Sequence, residues 1–174
     1  MIFLYKVLKL ILNDISISSP NFNILSFSAS SKSFTILSIH SFKTSYLNTL
    51  IRYDYHYSID QSEFVLNEIE NWIDKNPINL GPNYICSQEI TIRCFNWIIA
   101  LNYYKNSKNL NTIRFSKIIN SIYWQADHVY NNINFSRIAV RNNHAITECL
   151  GIYTFGLMFN NFPNANNWKR SEEH

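Results

Sequence analysis

Residues 141–159 of the chain read RNNHAITECLGIYTFGLMF, a polar start followed by a long apolar run. Asn is common where helices begin, so this pattern predicts a helix that starts near Asn142 and ends before Pro163. Its apolar positions cover a broad arc, which is typical of a helix packed against more than one neighbour. They are Ile146, Leu150, Ile152, Tyr153, Phe155 and Leu157.

The predicted helix start would bring together the side chains of Arg141, Asn142, Asn143 and His144. Two amides and an imidazole would then lie at the positive end of a helix dipole, a position that suits an anion and above all a carboxylate. The alternative is that one of the two Asn residues only caps the helix and that His144 is a surface residue. These four residues alone leave both interpretations open.

Upstream of this stretch, apolar residues at helical spacing predict three further helices. The first begins at Asp60 or Ser62 and ends before Pro77, the second begins near Ser87, and the third covers about residues 112–130. The expected core residues are Phe64, Val65, Leu66, Ile69, Trp72, Ile73, Ile90, Phe95, Trp97, Ile98, Leu101, Phe115, Ile118, Ile119, Ile122, Trp124, Ala126 and Val129. Helices joined by loops predict an all-α fold of packed hairpins, as in layered or toroidal arrays.

Residues 1–49 have a different character and are predicted to be a separate N-terminal segment. Serines alternate with apolar residues between positions 15 and 42, which favours short strands or extended chain. The first apolar residues are interrupted by Lys6 and Lys9, a poor match to a signal peptide and too charged to span a membrane. Residues 168–174 resemble the start of another helix, so we expect the chain to be a fragment.

Composition limits the classes of function. A chain of 174 residues can form one domain with a hydrophobic core. The net charge of +3 is scattered and forms no basic stripe, which argues against binding to nucleic acid. Cys86, Cys94 and Cys149 lack the spacing of a metal site and are predicted to be small buried hydrophobic residues. No metal or other cofactor is predicted.

Glu89 and Arg93 lie four residues apart on the second predicted helix, in the better orientation for an ion pair. They could bind an acidic sugar, or the ion pair could be purely structural. His128, near the end of the third helix, receives no functional role. The tryptophans are assigned to the core rather than to sugar stacking.

Several segments in order carry a resemblance to a known family. They are residues 76–84, Ser87, Glu89, Arg93, residues 96–97, residues 141–144, Glu148, Gly151 and residues 162–168. Together they resemble the N-terminal helical domain of heparinase II/III-type polysaccharide lyases, and residues 50–57 resemble the aromatic first segment of that domain. The resemblance covers residues 50–174, which we therefore predict to be a helical domain truncated at its C-terminus.

The resemblance implies an incomplete (α/α) toroid, followed in complete members by a β-sandwich domain. Enzymes of this family cleave uronic-acid-containing glycans, such as heparan sulfate or alginate-like polymers, by β-elimination in the periplasm or after secretion. In the family, the Asn before a His neutralises the uronate carboxylate. That role maps to Asn143, with His144 as the neighbouring catalytic residue, and the candidate substrate-binding residues are Arg141, Asn142, Glu89 and Arg93.

β-Elimination explains why these residue types would be needed. An amide such as Asn143 can offset the carboxylate charge and stabilise the negative charge that develops beside it. An imidazole has a reference pKa near ~6.5, so His144 could remove the C5 proton or orient the sugar. The family's catalytic tyrosine and β-domain lie beyond this chain. The alternative function is therefore a non-catalytic, acidic-glycan-binding or degenerate helical domain.

Overall fold

The computed structural model describes residues 45–135, 138 and 143–170, and within these ranges the chain forms helices and no strand. The α-helices are α1 (Ser45–Tyr57), α2 (Ser62–Lys75), α3 (Ser87–Tyr103), α4 (Thr112–Phe135), α5 (Asn143–Met158) and α6 (Ala165–Lys169), and a 3-10 turn (Pro82–Tyr84) precedes α3. The all-α prediction is confirmed. The predicted extended segments between residues 15 and 42 lie outside the described residues.

Helices α1 and α3 run parallel to each other. The Asn48 side-chain amide donates to Asn96 Oδ1 at 2.6 Å. Further along both helices, the Tyr103 hydroxyl donates to Asp54 Oδ1 at 3.3 Å. The later residue of α1 thus contacts the later residue of α3, so both helices begin at the same end of the domain.

Helix α5 extends the same layer on the other side of α3. Cys86 Sγ lies 4.0 Å from His144 Nδ1 at the start of the two helices, and the rings of Phe95 and Phe155 lie 5.0 Å apart further along. The later residue of α3 again contacts the later residue of α5, so these two helices are parallel. Helices α1, α3 and α5 therefore form one layer of parallel helices with α3 in the middle.

Helices α2 and α4 form the second layer. Arg114 donates to Asn67 Oδ1 at 2.6 Å, and Lys117 Nζ lies 2.7 Å from the Asp74 carboxylate, so these two helices are also parallel. Successive helices thus alternate between two layers, which is the arrangement of an incomplete (α/α) toroid. The predicted toroid of hairpins is confirmed.

The helix boundaries follow local sequence signals. Pro77 follows the end of α2 by two residues, as predicted, since proline cannot continue a helix. The helix predicted to begin near Ser87 has Ser87 as its first residue, and Cys86 occupies the cap position without a side-chain cap bond. The backbone carbonyl of Ser87 accepts a hydrogen bond from the Thr91 hydroxyl at 2.9 Å.

Most of the predicted core is buried, including Trp72 and Trp97, and α4 extends past residue 130 to Phe135. The prediction was wrong for apolar residues on helix faces that none of the described helices covers. These exposed residues are Phe64, Phe115, Trp124, Ile146, Leu150 and Leu157. Helix α1 was not predicted as a helix, although its buried residues Leu47, Ile51 and Asp54 lie at helical spacing.

Candidate functional site

A cleft of about 300 Å³ opens at the end of the domain where α3 and α5 begin. Its lining residues are Tyr84, Ile85, Cys86, Ser87, His128, Asn132, Phe135, His144 and Glu148. Parallel packing brings the two helix starts together, while the last turns of α4 form the opposite wall. The positive ends of the α3 and α5 dipoles, which attract anions, therefore meet the negative end of the α4 dipole at this cleft.

Asn143 and His144 are the first two residues of α5. Asn143 is exposed, and its backbone carbonyl accepts a hydrogen bond from the Thr147 hydroxyl at 2.9 Å. His144 is half-buried and lies beside Cys86, the residue that immediately precedes α3. Glu148, one turn after His144, is buried and also lines the cleft. The helix start thus supplies an amide at the surface and an imidazole in the cleft.

His128 was missed as a site residue by the sequence analysis. It projects from α4, its Nδ1 lies 2.6 Å from Asn79 Oδ1, and its ring lies edge-on to Tyr84 at 5.6 Å. Burial lowers the pKa of His128, and the nearby Arg93 charge lowers it further, against the opposing effects of a Tyr84 backbone hydrogen bond and of Asp127. The net result is a lowered pKa of His128, which favours the neutral form of its imidazole in the cleft.

Tyr84 places a phenol in the wall of the same cleft. It is buried, and within the described part of the chain its hydroxyl has no hydrogen-bond partner. Burial raises the pKa of Tyr84 to about 12, although the nearby Arg93 charge opposes that rise.

Arg93 lies in the interior behind Tyr84 and is only 4% exposed. Its Nε donates to Gln125 Oε1 at 2.6 Å, its Nη2 donates to the Asn83 carbonyl at 3.2 Å, and its guanidinium lies 4.0 Å from the centre of the Trp72 ring. Burial lowers the pKa of this guanidinium. Arg93 therefore joins α3, α4 and the turn that carries Tyr84.

The structural ion pair considered for Glu89 and Arg93 does not form. In the part of the chain that the structure describes, the ion pairs are Arg114–Glu70 and Lys117–Asp74. The donors of Arg93 are directed to an amide and a backbone carbonyl instead, while Glu89 is half-buried. Substrate binding by Glu89 and Arg93 stays a prediction.

Two further predicted site residues, Arg141 and Asn142, lie outside the described residues. Across residues 45–135, 138 and 143–170, no three His, Cys, Asp or Glu side chains are grouped so that they could hold a metal ion. In the same ranges, none of the helices has the length and apolar character needed to cross a membrane.

The three cysteines do not share one environment. Cys94 is fully buried, as predicted, and burial raises the pKa of its thiol. Cys86 and Cys149 are only half-buried, so the prediction of small buried residues was wrong for these two. Cys86 differs because it precedes α3 and faces the cleft rather than the core.

The two-layered helices and the cleft at their common end define an all-α domain of the toroid class. The profile of the family described as Heparinase II/III N-terminus matches residues 52–173. The chain therefore belongs to the heparinase II/III N-terminal domain family, in agreement with the resemblance found in its sequence. Neither the curated proteins nor the solved structures contained a match.

Proposed function

We propose that this chain is the N-terminal helical part of a polysaccharide lyase that cleaves uronic-acid-containing glycans by β-elimination. The observation that carries the proposal is the position of Asn143 and His144 at the first turn of α5, beside a cleft at two helix starts. Family membership supports the same class of activity. It also supports action in the periplasm or outside the cell, where such polymers occur, and a β-sandwich domain as the partner in the complete protein.

The first step of the proposed chemistry is neutralisation of the uronate carboxylate. The proton on C5 is weakly acidic while the adjacent carboxylate keeps its full negative charge. The Asn143 amide and the backbone N–H groups at the start of α5 are suitable donors to that carboxylate. Donors that are already in position stabilise the charge that develops when the proton leaves.

The second step is transfer of two protons. A base removes the C5 proton, the electron pair forms the C4–C5 double bond, and the bond from C4 to the glycosidic oxygen breaks. That oxygen then takes a proton from an acid, which the family resemblance assigns to a tyrosine further along the helical domain. We assign the base, or the group that orients the sugar, to His144, with the neutral imidazole of His128 as the second candidate.

The test is an elimination assay on the polypeptide expressed from the complete reading frame. Heparan sulfate and alginate serve as substrates, and ultraviolet absorbance measures the unsaturated uronyl ends. Asn143→Ala should lower the rate by roughly 100-fold or more, as loss of a single oxyanion donor does in other enzymes. Its thermal midpoint should barely change, because the side chain is exposed.

Asn120→Ala provides the matched control, since Asn120 is an exposed amide on α4 away from the cleft lining. It should retain the activity of the parent protein. Equal rates for the two variants would remove Asn143 from the proposed role. Saturable, salt-sensitive glycan binding without unsaturated product would favour the glycan-binding alternative, and neither binding nor product would refute both.

A further inference from the structure

We propose that Arg93 is a positioning residue for the cleft, and that its buried positive charge, held behind the wall formed by Tyr84, favours a carboxylate ligand there. Only the identity of that carboxylate as a uronate rests on the proposed function. Arg93 is 4% exposed, so it acts on a ligand through its neighbours rather than by contact. The charge itself, and not only the packing of the side chain, then contributes to the cleft.

Three contacts hold the Arg93 guanidinium behind the cleft wall. Its Nη2 donates to the Asn83 carbonyl at 3.2 Å, and its Cζ atom lies 5.6 Å from the centre of the Tyr84 ring. Its Nε donates to Gln125 Oε1 at 2.6 Å. Gln125 lies on α4 one turn before His128, whose ring is edge-on to Tyr84 at 5.6 Å. The guanidinium, the phenol and the imidazole therefore form one connected cluster that reaches the cleft.

The positive charge of Arg93 has no ion-pair partner among the described residues. The two oxygens that it contacts belong to an amide side chain and a backbone carbonyl, and its Cζ atom lies 4.0 Å from the centre of the Trp72 ring. Burial lowers the pKa of Arg93, against opposing effects that include Glu89, but an arginine side chain keeps its proton in proteins. A charge taken out of water is normally paired, because its desolvation is costly. An anion in the adjacent cleft would interact favourably with this charge.

The cleft also contains negative features, which a cation behind Tyr84 would offset. Glu148 lines the cleft together with His144, and the negative end of the α4 dipole meets it. Both the carboxylate and the dipole end disfavour a carboxylate ligand, since like charges repel. The charge of Arg93 acts in the opposite direction, and it adds to the attraction of the α3 and α5 helix starts.

His128 provides a probe of this charge inside the cleft. Burial lowers the pKa of His128 and the charge of Arg93 lowers it further, while the Tyr84 backbone and Asp127 oppose that shift. A neutral residue at position 93 removes one of the two lowering effects. The titration of His128 therefore measures whether the charge of Arg93 reaches the cleft.

Proton NMR titration of the histidine rings in the 174-residue chain tests the inference without any glycan. Comparison with His128→Gln assigns the His128 resonance. Arg93→Gln removes the charge and should raise the pKa of His128, whereas Arg93→Lys keeps the charge and should leave that pKa close to its value in the parent chain. Arg93→Met supplies a second neutral variant if Arg93→Gln folds poorly.

Gln125→Met is the matched control, because it removes a partner of Arg93 from the same buried network and changes no charge. It should lower the stability of the chain and leave the titration of His128 near that of the parent.

The second measurement is the binding of sodium glucuronate, followed by the shifts of the same histidine resonances. Arg93→Gln should weaken this binding by roughly threefold to tenfold, the effect of one partly screened charge, while Arg93→Lys should change it by less than about twofold. Gln125→Met should bind as the parent chain does.

A pKa of His128 that is the same in the parent and the neutral variants would overturn the inference, as would equal glucuronate binding in these proteins or no binding by the parent. A loss of binding in Gln125→Met as large as that in Arg93→Gln would assign the effect to packing and would also overturn it. Charge-dependent glucuronate binding by a protein that makes no unsaturated product would support the inference and count against the lyase proposal. The two proposals can therefore fail separately.

Discussion

Helices α3 and α5 are two versions of the same element in different surroundings. Both are mainly apolar, both begin at the cleft, and they pack in parallel against each other. Helix α3 has a parallel neighbour on each flank, whereas α5 has one among the described helices. Leu101 on α3 is consequently 6% exposed, while Leu150 on α5 is 39% exposed. The local sequence is thus sufficient for both segments to form helices. Which of their residues are buried depends on the helices that pack against them.

The largest expected effect comes from replacing one leucine on each helix with alanine. Leu101→Ala should cost about 2–4 kcal/mol of unfolding free energy, because it leaves a cavity in a packed core. Leu150→Ala should cost less than about 1 kcal/mol, since its side chain already contacts solvent. Urea unfolding followed by circular dichroism of the 174-residue chain gives both values. Equal losses would show that the Leu150 side chain is as well covered as that of Leu101 in that chain.

The next effect concerns the polar network that α3 holds in the interior. Arg93→Ala should cost about 2–3 kcal/mol, because it leaves the buried Gln125 amide oxygen without its donor and removes the stacking on Trp72. Arg52→Ala is the control, as Arg52 is exposed on α1. The same urea titration applies. A cost as small as that of Arg52→Ala would contradict a structural role for Arg93.

A smaller effect is expected where α3 and α5 approach most closely. A Cβ atom at Gly151 would lie 2.2 Å from Thr91 Cγ2, so Gly151→Ala should cost about 1–3 kcal/mol through overpacking. Thr91→Ser removes that methyl group and retains the hydroxyl that bonds to the Ser87 carbonyl. The double variant should recover most of the loss, because alanine is otherwise the better helix former. No recovery in urea unfolding would argue against this contact.

The smallest effect is a pH dependence at the cleft, where α3 and α5 begin opposite α4. The pKa of His128 is lower in the folded chain than its unfolded value near ~6.5. Its contribution to stability is therefore present above that value, and it is lost as the pH falls through the folded-state pKa, because the unfolded chain binds more protons there. Partial exposure keeps this contribution below about 1 kcal/mol.

Urea midpoints at pH 7.5 and 5.5 measure this dependence. His128→Gln should reduce the difference between the two midpoints. His56→Gln, at an exposed position on α1, should leave the difference as it is in the parent chain. A difference that is the same in all three proteins would mean that His128 does not contribute to it.

The sequence alone predicted helices α2 to α5 and placed Asn143 and His144 at a helix start. Those predictions rest on local signals, namely helical spacing, proline positions and residues that favour helix starts. It did not predict the cleft wall formed by Tyr84 and His128, which are far apart in the chain and meet only because α4 packs against the turn before α3. For Arg93 it left sugar binding and an ion pair with Glu89 as alternatives, because spacing alone could not reveal the distant partner Gln125.

What the sequence determined by itself is helices α2 to α5, most of their ends and the family of the domain, because each depends on residues that are near one another or on an ordered motif. Only the tertiary structure decided which apolar faces are buried, since burial requires a neighbouring helix to cover the face. It also decided that an imidazole from α4 and another from α5 line one cleft. Parallel packing of α3 and α5 creates that cleft, and no local pattern specifies it.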